Sequence, residues 1–354
     1  MKSDYPTEVL CEAFCVSRSG FYDWLKRPSD PSTRAQEDVQ LAEQIREVHR
    51  QSRGTYGTPR LQAELRHRGH KHSRKRIDRI RRQLGLRGRA KRRYRPQTTD
   101  SSHEEPIAPN RLAELPEATR RDQIWVSDLT YIPTEEGWLY LAVIMDLYSR
   151  RIIGWAFAHH LGTELVAAAL AMALVHRRPP QGLIHHSDRG VQYASAAYRQ
   201  LLKAQGVIAS MSRKGCCYDN AAMEAFFSTL KVECVYRTSF PTHQKARGEI
   251  FSYVESFYNR RRRHSALGYL SPAEFENSTI NCLLMKEMAR DGKALFLRKS
   301  DSYLFRNAEC RSSWKRNIWK GPTRSVGSSP FMSASCLTVV ERSGQPSVVP
   351  LTNN

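Results

Sequence analysis

The sequence predicts an α/β protein: a mixed five-stranded sheet with helices on its faces, preceded by an all-α, strongly basic region. Three observations carry this. From residue 122 to about 160, three β-rich runs follow one another across tight connections. Helical and short apolar segments then alternate as far as residue 276. Ahead of both, residues 1–95 show helical spacing of apolar residues among many Lys and Arg.

Residues 1–95 hold two candidate helix-turn-helix units. In "TEVLCEAFCVSRSGFYDWL", Leu10, Phe14, Val16, Phe21, Trp24 and Leu25 stand at helical spacing, and Ser17 is a fitting N-cap for the second helix. In "TPRLQAELRHRGHKHSRKRIDRIRRQLGL", Leu61 and Leu65 mark one helix, while Ile77, Ile80 and Leu84 mark another capped by Ser73. Between Lys71 and Arg95 there are 13 Lys or Arg against one acid, Asp78. A charge run is ordinarily a solvated face. Here it surrounds an apolar stripe on a capped helix, which is how recognition helices are built. Arg74, Lys75, Arg76 and Arg79 are the candidate DNA contacts. Residues 96–121, rich in Pro, Ser, Thr and Glu, read as a linker.

In the third region, "QIWVSDLTYIPT", "GWLYLAVIMDLYS" and "RIIGWAFAHH" form an antiparallel meander, turning at Glu136-Gly137 and at Ser149 to Arg151. "TELVAAALAMALVHR" is a helix led by Thr163 as N-cap. "GLIHHSD" is a short buried strand, "AAYRQLLKAQG" a helix ending at Gly206, and "IASMS" a brief strand before a long helix near "DNAAMEAFFSTLKVECVY". That order suggests an RNase H-like core over residues 122–276. Trp125 and Trp155 belong to its core. From 277 to 354 periodicity is lost, and 11 serines fall among the last 55 residues, so this stretch is expected to be disordered.

Composition narrows the class. A formal charge of +21 and a pI near 9.9 point to nucleic acid as partner. Anionic membrane competes poorly, because no basic amphipathic helix carries a strong apolar face. No apolar run approaches the roughly 20 residues needed to span a bilayer, and the N-terminus lacks a signal layout. A bacterial cytoplasmic, nucleoid-associated protein is expected. The eight cysteines form no C-x-x-C pair, which argues for free thiols and against structural zinc.

Three acids stand where the sheet gathers them. Asp128 lies within the first strand, Asp188 ends the fourth, and Glu224 lies one turn into the long helix, with 35 residues between the last two. Attack on a phosphodiester sets an oxygen nucleophile against an anion. Two Mg²⁺ or Mn²⁺ ions about 4 Å apart activate the one and stabilise the leaving oxygen, and Mg²⁺ needs only two or three carboxylates. Asp128 is the natural bridge, with Asp188 and Glu224 completing either side. Gly190 would let backbone come close to DNA or metal. Taken alone, Asp188 fits equally well as a loop residue capping the helix near Ala196. His185 and His186 point to opposite faces of their strand, which argues against a shared metal. Lys231, seven residues after Glu224, shares its helix face and could hold a DNA phosphate. Arg260 to His264, "RRRRH", either grips target DNA or covers the core surface. Tyr131 and Tyr193 stand near the acids without an assigned role.

At these residues the chain resembles the OrfB-type transposases of the IS-three family of bacterial insertion sequences, which have a DDE-type integrase catalytic core. The matching stretches are "WVSDLTYI", "YLAVIMDLYSRRIIGWA", "HHSDRGVQYAS", "SRKGCCYDNAAMEAFFSTLK" and "YNRRRRHSALGYLSPAEF", with "VSRSGFYDWL" and "GTYGTPRLQAELR" toward the N-terminus. The likeness covers roughly residues 5–276. It implies a catalytic and metal-binding triad of Asp128, Asp188 and Glu224, with Lys231 as the basic residue after the glutamate. It also implies metal-dependent cleavage at the element's ends, then attack of the freed 3′-hydroxyl on another phosphate. Implied partners are DNA, an upstream-frame (OrfA) product and further copies of the chain on DNA. Two departures stand out: Gly215-Cys216-Cys217 replaces a Gly-Asn pattern, and the chain runs almost eighty residues past the family's usual end. The competing readings are a DNA-binding regulator with an inert or degenerate core, and a structure-selective nuclease that cuts without joining.

Overall fold

A computed structural model describes residues 5–26, 32–89, 105–113, 115, 117–213 and 220–280. The Cys216 departure and the extension from 281 onward lie outside them. Two short helices open the chain, α1 (Thr7–Ala13) and α2 (Arg18–Lys26); Ser17 caps the second, its hydroxyl accepting from Gly20 N at 3.1 Å. Next comes α3 (Thr33–Gln51), the longest described helix and one the sequence reading passed over. Ser32 caps it, and Leu41, Ile45 and Val48, spaced by four and three, are its buried face. α4 (Thr58–His67) and α5 (Arg74–Gln83) pack on that face through Leu61, Leu65, Ile77 and Ile80, all fully buried, with Ser73 capping α5 as expected.

The sheet follows: β1 (Ile124–Thr134), β2 (Gly137–Asp146) and β3 (Ile152–Ala158) form the antiparallel meander. The first turn is Glu135-Glu136; Gly137 already belongs to β2 and takes φ +106°, a conformation that favours glycine. α6 (Thr163–Arg177) crosses the sheet. Its cap is Gly162 and not Thr163, whose hydroxyl instead lies 3.3 Å from Ser195 Oγ. β4 (Ile184–Ser187), α7 (Val191–Ala194), α8 (Ala196–Ala204) and β5 (Ile208–Met211) complete a five-stranded sheet in the order β3-β2-β1-β4-β5. β1 pairs parallel with β4 and so sits at the middle. Beyond it lie α9 (Ala221–Glu233) and α10 (His243–Phe251), the latter prolonged by a π-helical stretch, Ser252–Tyr258. Residues 272–280 are helical too, past the boundary expected at 276.

Both sheet faces are covered, so strand alternation sorts β1 into two cores. Trp125 joins Ala142, Leu165, Leu170 and Tyr198 on the α6–α8 face, whereas Val126 and Ile132 join Met223, Phe226 and Leu230 of α9. A Cβ at Gly154 would come within 2.3 Å of the Ala169 carbonyl, so glycine is what lets β3 lie against α6. The α9-side core runs without a break into that of α3–α5. Residues 105–121 are not a bare tether: Leu112, Leu115 and Ala118 pack on this core, and Arg111 N donates to Ser210 Oγ. Among the described residues no helix is long and apolar enough to cross a membrane.

Candidate active site

β1 carries Asp128 through the centre of the sheet, so its carboxylate is held by ladder bonds on both sides. Leu129 N donates to its Oδ1 at 2.7 Å. Asp188 follows the last residue of β4, the strand parallel to β1, and its Oδ1 accepts from Gly190 N at 3.0 Å. That bond settles the role left open in the sequence: Asp188 braces the turn into α7, while Ser195 caps the helix at Ala196. Gly190 has an ordinary φ of −62°; a side chain there would instead press to 3.1 Å from Asp188 Oδ1. Glu224 is exposed, in the first turn of α9.

The three acids share one electrostatic neighbourhood. Burial pushes the Asp128 carboxyl well above its ordinary range, and the charges of Asp188 and then Glu224 push it the same way. The Leu129 amide and Lys231 oppose them. Lys231 is half-buried, with burial lowering its pKa and Asp128 raising it, and its Nζ lies 4.7 Å from the centre of the Tyr131 ring. Tyr131 in turn meets the half-exposed Trp138 edge-on at 4.8 Å. Lys231 therefore has a neighbour the sequence could not assign.

Two further residues were missed. Asn220 precedes α9, its Nδ2 3.5 Å from the Ser127 carbonyl and its Oδ1 unpartnered. It ties the start of the helix bearing Glu224 to the residue before Asp128. Tyr193 is 2 % exposed, and burial together with the Asp188 charge raises its hydroxyl pKa. Ser127 lies near enough to temper that rise but not in hydrogen-bonding geometry, and the hydroxyl is unpartnered. No periodicity signals either role.

Among the described residues no three His, Cys, Asp or Glu side chains close into a ready metal cage. His185 and His186 do diverge: one meets Tyr198 and the other Ser210 and Ser212, and burial drops His185 to about 3. The acids still suit a hard divalent cation, since they concentrate negative charge around a carboxylate that resists ionising, and Mg²⁺ keeps several waters as ligands.

On α5 the four basic candidates divide. Arg76 binds Asp38 at 2.7 Å and Glu37 at 2.9 Å, and Arg79 binds Asp38 at 2.5 Å, so both pin α5 to α3. Arg74 and Lys75 are exposed and make no ion pair among the described residues. The run Arg260 to His264 divides likewise. Arg262 forks onto Glu233 at 2.7 and 2.8 Å, Arg263 binds Glu64 and Glu274 at 2.7 Å, and His264 is buried, while Arg260 and Arg261 face outward.

Comparison with known proteins places this geometry. Integrase core domain models match residues 118–217 and 224–280, and an HTH-like domain model matches residues 36–94. The transposase InsF for insertion sequence IS3A, from Escherichia coli strain K12, is 41 % identical over 279 residues, which is 79 % of this chain and 96 % of that protein. The chain belongs to the IS3-family transposases. A Shigella sonnei protein, the insertion element IS600 uncharacterized 31 kDa protein, is 48 % identical over 266 residues, 75 % of this chain and 97 % of its own. Among solved structures, the magnesium complex of the HTLV-2 integrase catalytic core (trimeric form) matches at 12 % identity and a TM-score of 0.36, covering 45 % of this chain and 99 % of its own. The HTH-like match to this transposase begins within α3, so α1 and α2 fall outside it.

Proposed function

We propose that this transposase cleaves one strand at each end of an insertion sequence and joins the freed 3′-hydroxyl to another phosphate, using Asp128, Asp188 and Glu224 as its catalytic carboxylates. The observation that carries this is the common field of the three acids, drawn from the central strand, the end of its parallel neighbour and the first turn of α9. Two Mg²⁺ or Mn²⁺ ions bound there would supply a nucleophilic oxygen and charge stabilisation at the leaving oxygen. Asp128, held by the sheet and the Leu129 amide, serves as the shared ligand; Asp188 and Glu224 complete one side each. Lys231 stands beside Asp128 to neutralise the phosphate being attacked. Arg74 and Lys75 contact DNA from α5, which Arg76 and Arg79 hold in place. An upstream-frame product and further copies of the chain assemble with it on DNA in the bacterial cytoplasm.

The test uses the purified chain, with and without the upstream-frame product, and a labelled duplex carrying the element's terminal repeat. With Mg²⁺ or Mn²⁺, 3′-end nicks and joined strands are expected, and both disappear in Asp188→Asn. Nicks without joining indicate a nuclease. Binding without cleavage under every metal and partner condition indicates a regulator, and either outcome overturns the proposal.

A further inference from the structure

Where the helical unit meets the core, a cleft of about 290 Å³ opens between the ends of α3 and α4 and the segment 257–263. Its charged lining is four arginines, Arg68, Arg260, Arg261 and Arg263, against two glutamates, Glu64 and Glu274. Both acids are already matched. Glu64 takes Arg263 at 2.7 Å and Arg68 at 2.9 Å; Glu274 takes Arg263 at 2.7 Å, with His67 at 3.8 Å. Arg68 also reaches Gln51 at 2.5 Å. Arg260 and Arg261 are exposed, and neither makes an ion pair among the described residues. The cleft thus has a floor of neutralised pairs and a rim of two cations.

The floor keeps that rim in place. Tyr56, 2 % exposed, donates its hydroxyl to the Arg261 carbonyl at 3.2 Å and accepts from Arg263 N at 2.7 Å. The backbone under both rim arginines is therefore fastened to the helical unit. A guanidinium on a fixed backbone loses less freedom on engaging a phosphate and can donate two parallel hydrogen bonds to it.

We infer that Arg260 and Arg261, over this cleft, form a binding site for the phosphodiester backbone of duplex DNA, reading no sequence and holding one duplex across the seam between the α5-bearing unit and the catalytic core. This rests on the DNA-transposase reading above. The charge favours it, because two unmatched arginines beside paired carboxylates attract an anion. The location favours a polymer over a small anion, since DNA held by α5 must pass from one unit to the other to reach the acids.

The experiment is duplex binding by the full chain, followed by fluorescence anisotropy across a salt series, on a terminal-repeat duplex and on an unrelated one. Arg260→Ala with Arg261→Ala should lower the slope of log affinity against log salt by about 2, from about 0.9 per phosphate released. The loss should be equal on both duplexes, with an unchanged melting temperature. Arg46→Ala with Arg50→Ala removes the same charge from the exposed side of α3 and should leave the slope within error. An unchanged slope in the Arg260/Arg261 variant, or an equal fall in the α3 control, overturns the site while leaving the transposase reading standing. A wild-type chain that binds neither duplex overturns both.

Discussion

The seam and the acid cluster both bury charge, and they treat it in opposite ways. At the seam, Glu233 receives the Arg262 fork and the Tyr253 hydroxyl at 2.9 Å, with Arg60 at 3.7 Å; each buried charge has a partner in good geometry. At the acid cluster, Asp128 has two carboxylates near it and one cation, and its proton affinity rises accordingly. Matched burial is what a fold needs to hold two units together. Unmatched burial persists where something from outside completes it. The same residue type, Asp or Glu, is structural in one region and chemical in the other because of its neighbours alone.

This contrast can be broken by acid-to-amide and charge-removal changes. Asp128→Asn should cut strand transfer by roughly 10⁴-fold, about 5 kcal/mol of barrier, while the melting temperature holds or rises because the repulsion is relieved. A variant that loses activity and unfolds together would place Asp128 with the structural acids. Next in size, Arg262→Ala leaves Glu233 buried without its fork and should cost about 3–5 kcal/mol in chemical denaturation. A cost under about 1 kcal/mol would mean the seam is not held by this pair.

Metal should sharpen the difference. Mg²⁺ at 100 times its dissociation constant is expected to stabilise the folded chain by about 2.7 kcal/mol. That gain should vanish with chelator and in Asp128→Asn, but survive in Arg263→Ala. Differential scanning calorimetry reads all three.

The smallest effect is on acid stability. Burial raises the Glu276 pKa, but Arg177 at 2.9 Å and Arg151 at 2.7 Å more than reverse it, leaving it below its ordinary value. A folded-state pKa below the unfolded one gives stability that is present above the unfolded value, near 4.3, and lost as pH falls through the folded value. Glu276→Gln should flatten the dependence of unfolding free energy on pH below that point, by no more than about 1.4 kcal/mol per pH unit. An unaltered slope in a denaturant series from pH 5 to pH 3 would count against the pairing.

Sequence alone determined the elements that obey a period or a cap. The meander, the parallel β4, the α5 stripe with Ser73 and the positions of Asp128, Asp188 and Glu224 on strand, strand end and helix were all legible, because side-chain alternation and helical spacing are local rules. α3 was legible too, through Ser32 and the Leu41, Ile45, Val48 spacing, and was masked only by its many charges. The Thr163 cap failed because Gly162, with its extended backbone, took the cap position and the Thr163 hydroxyl went toward Ser195.

What only the tertiary structure decided is which charges meet. "RRRRH" reads as one basic patch, yet Arg262 and Arg263 are consumed by Glu233, Glu64 and Glu274, while Arg260 and Arg261 remain outward. Arg76 and Arg79 read as DNA contacts and turn out to be tied to α3. Tyr193 and Asn220 enter the site from turns that carry no pattern. A charge's role depends on partners tens to hundreds of positions away, and Coulomb energy at a few ångströms is set by distance and burial, which the linear order does not contain.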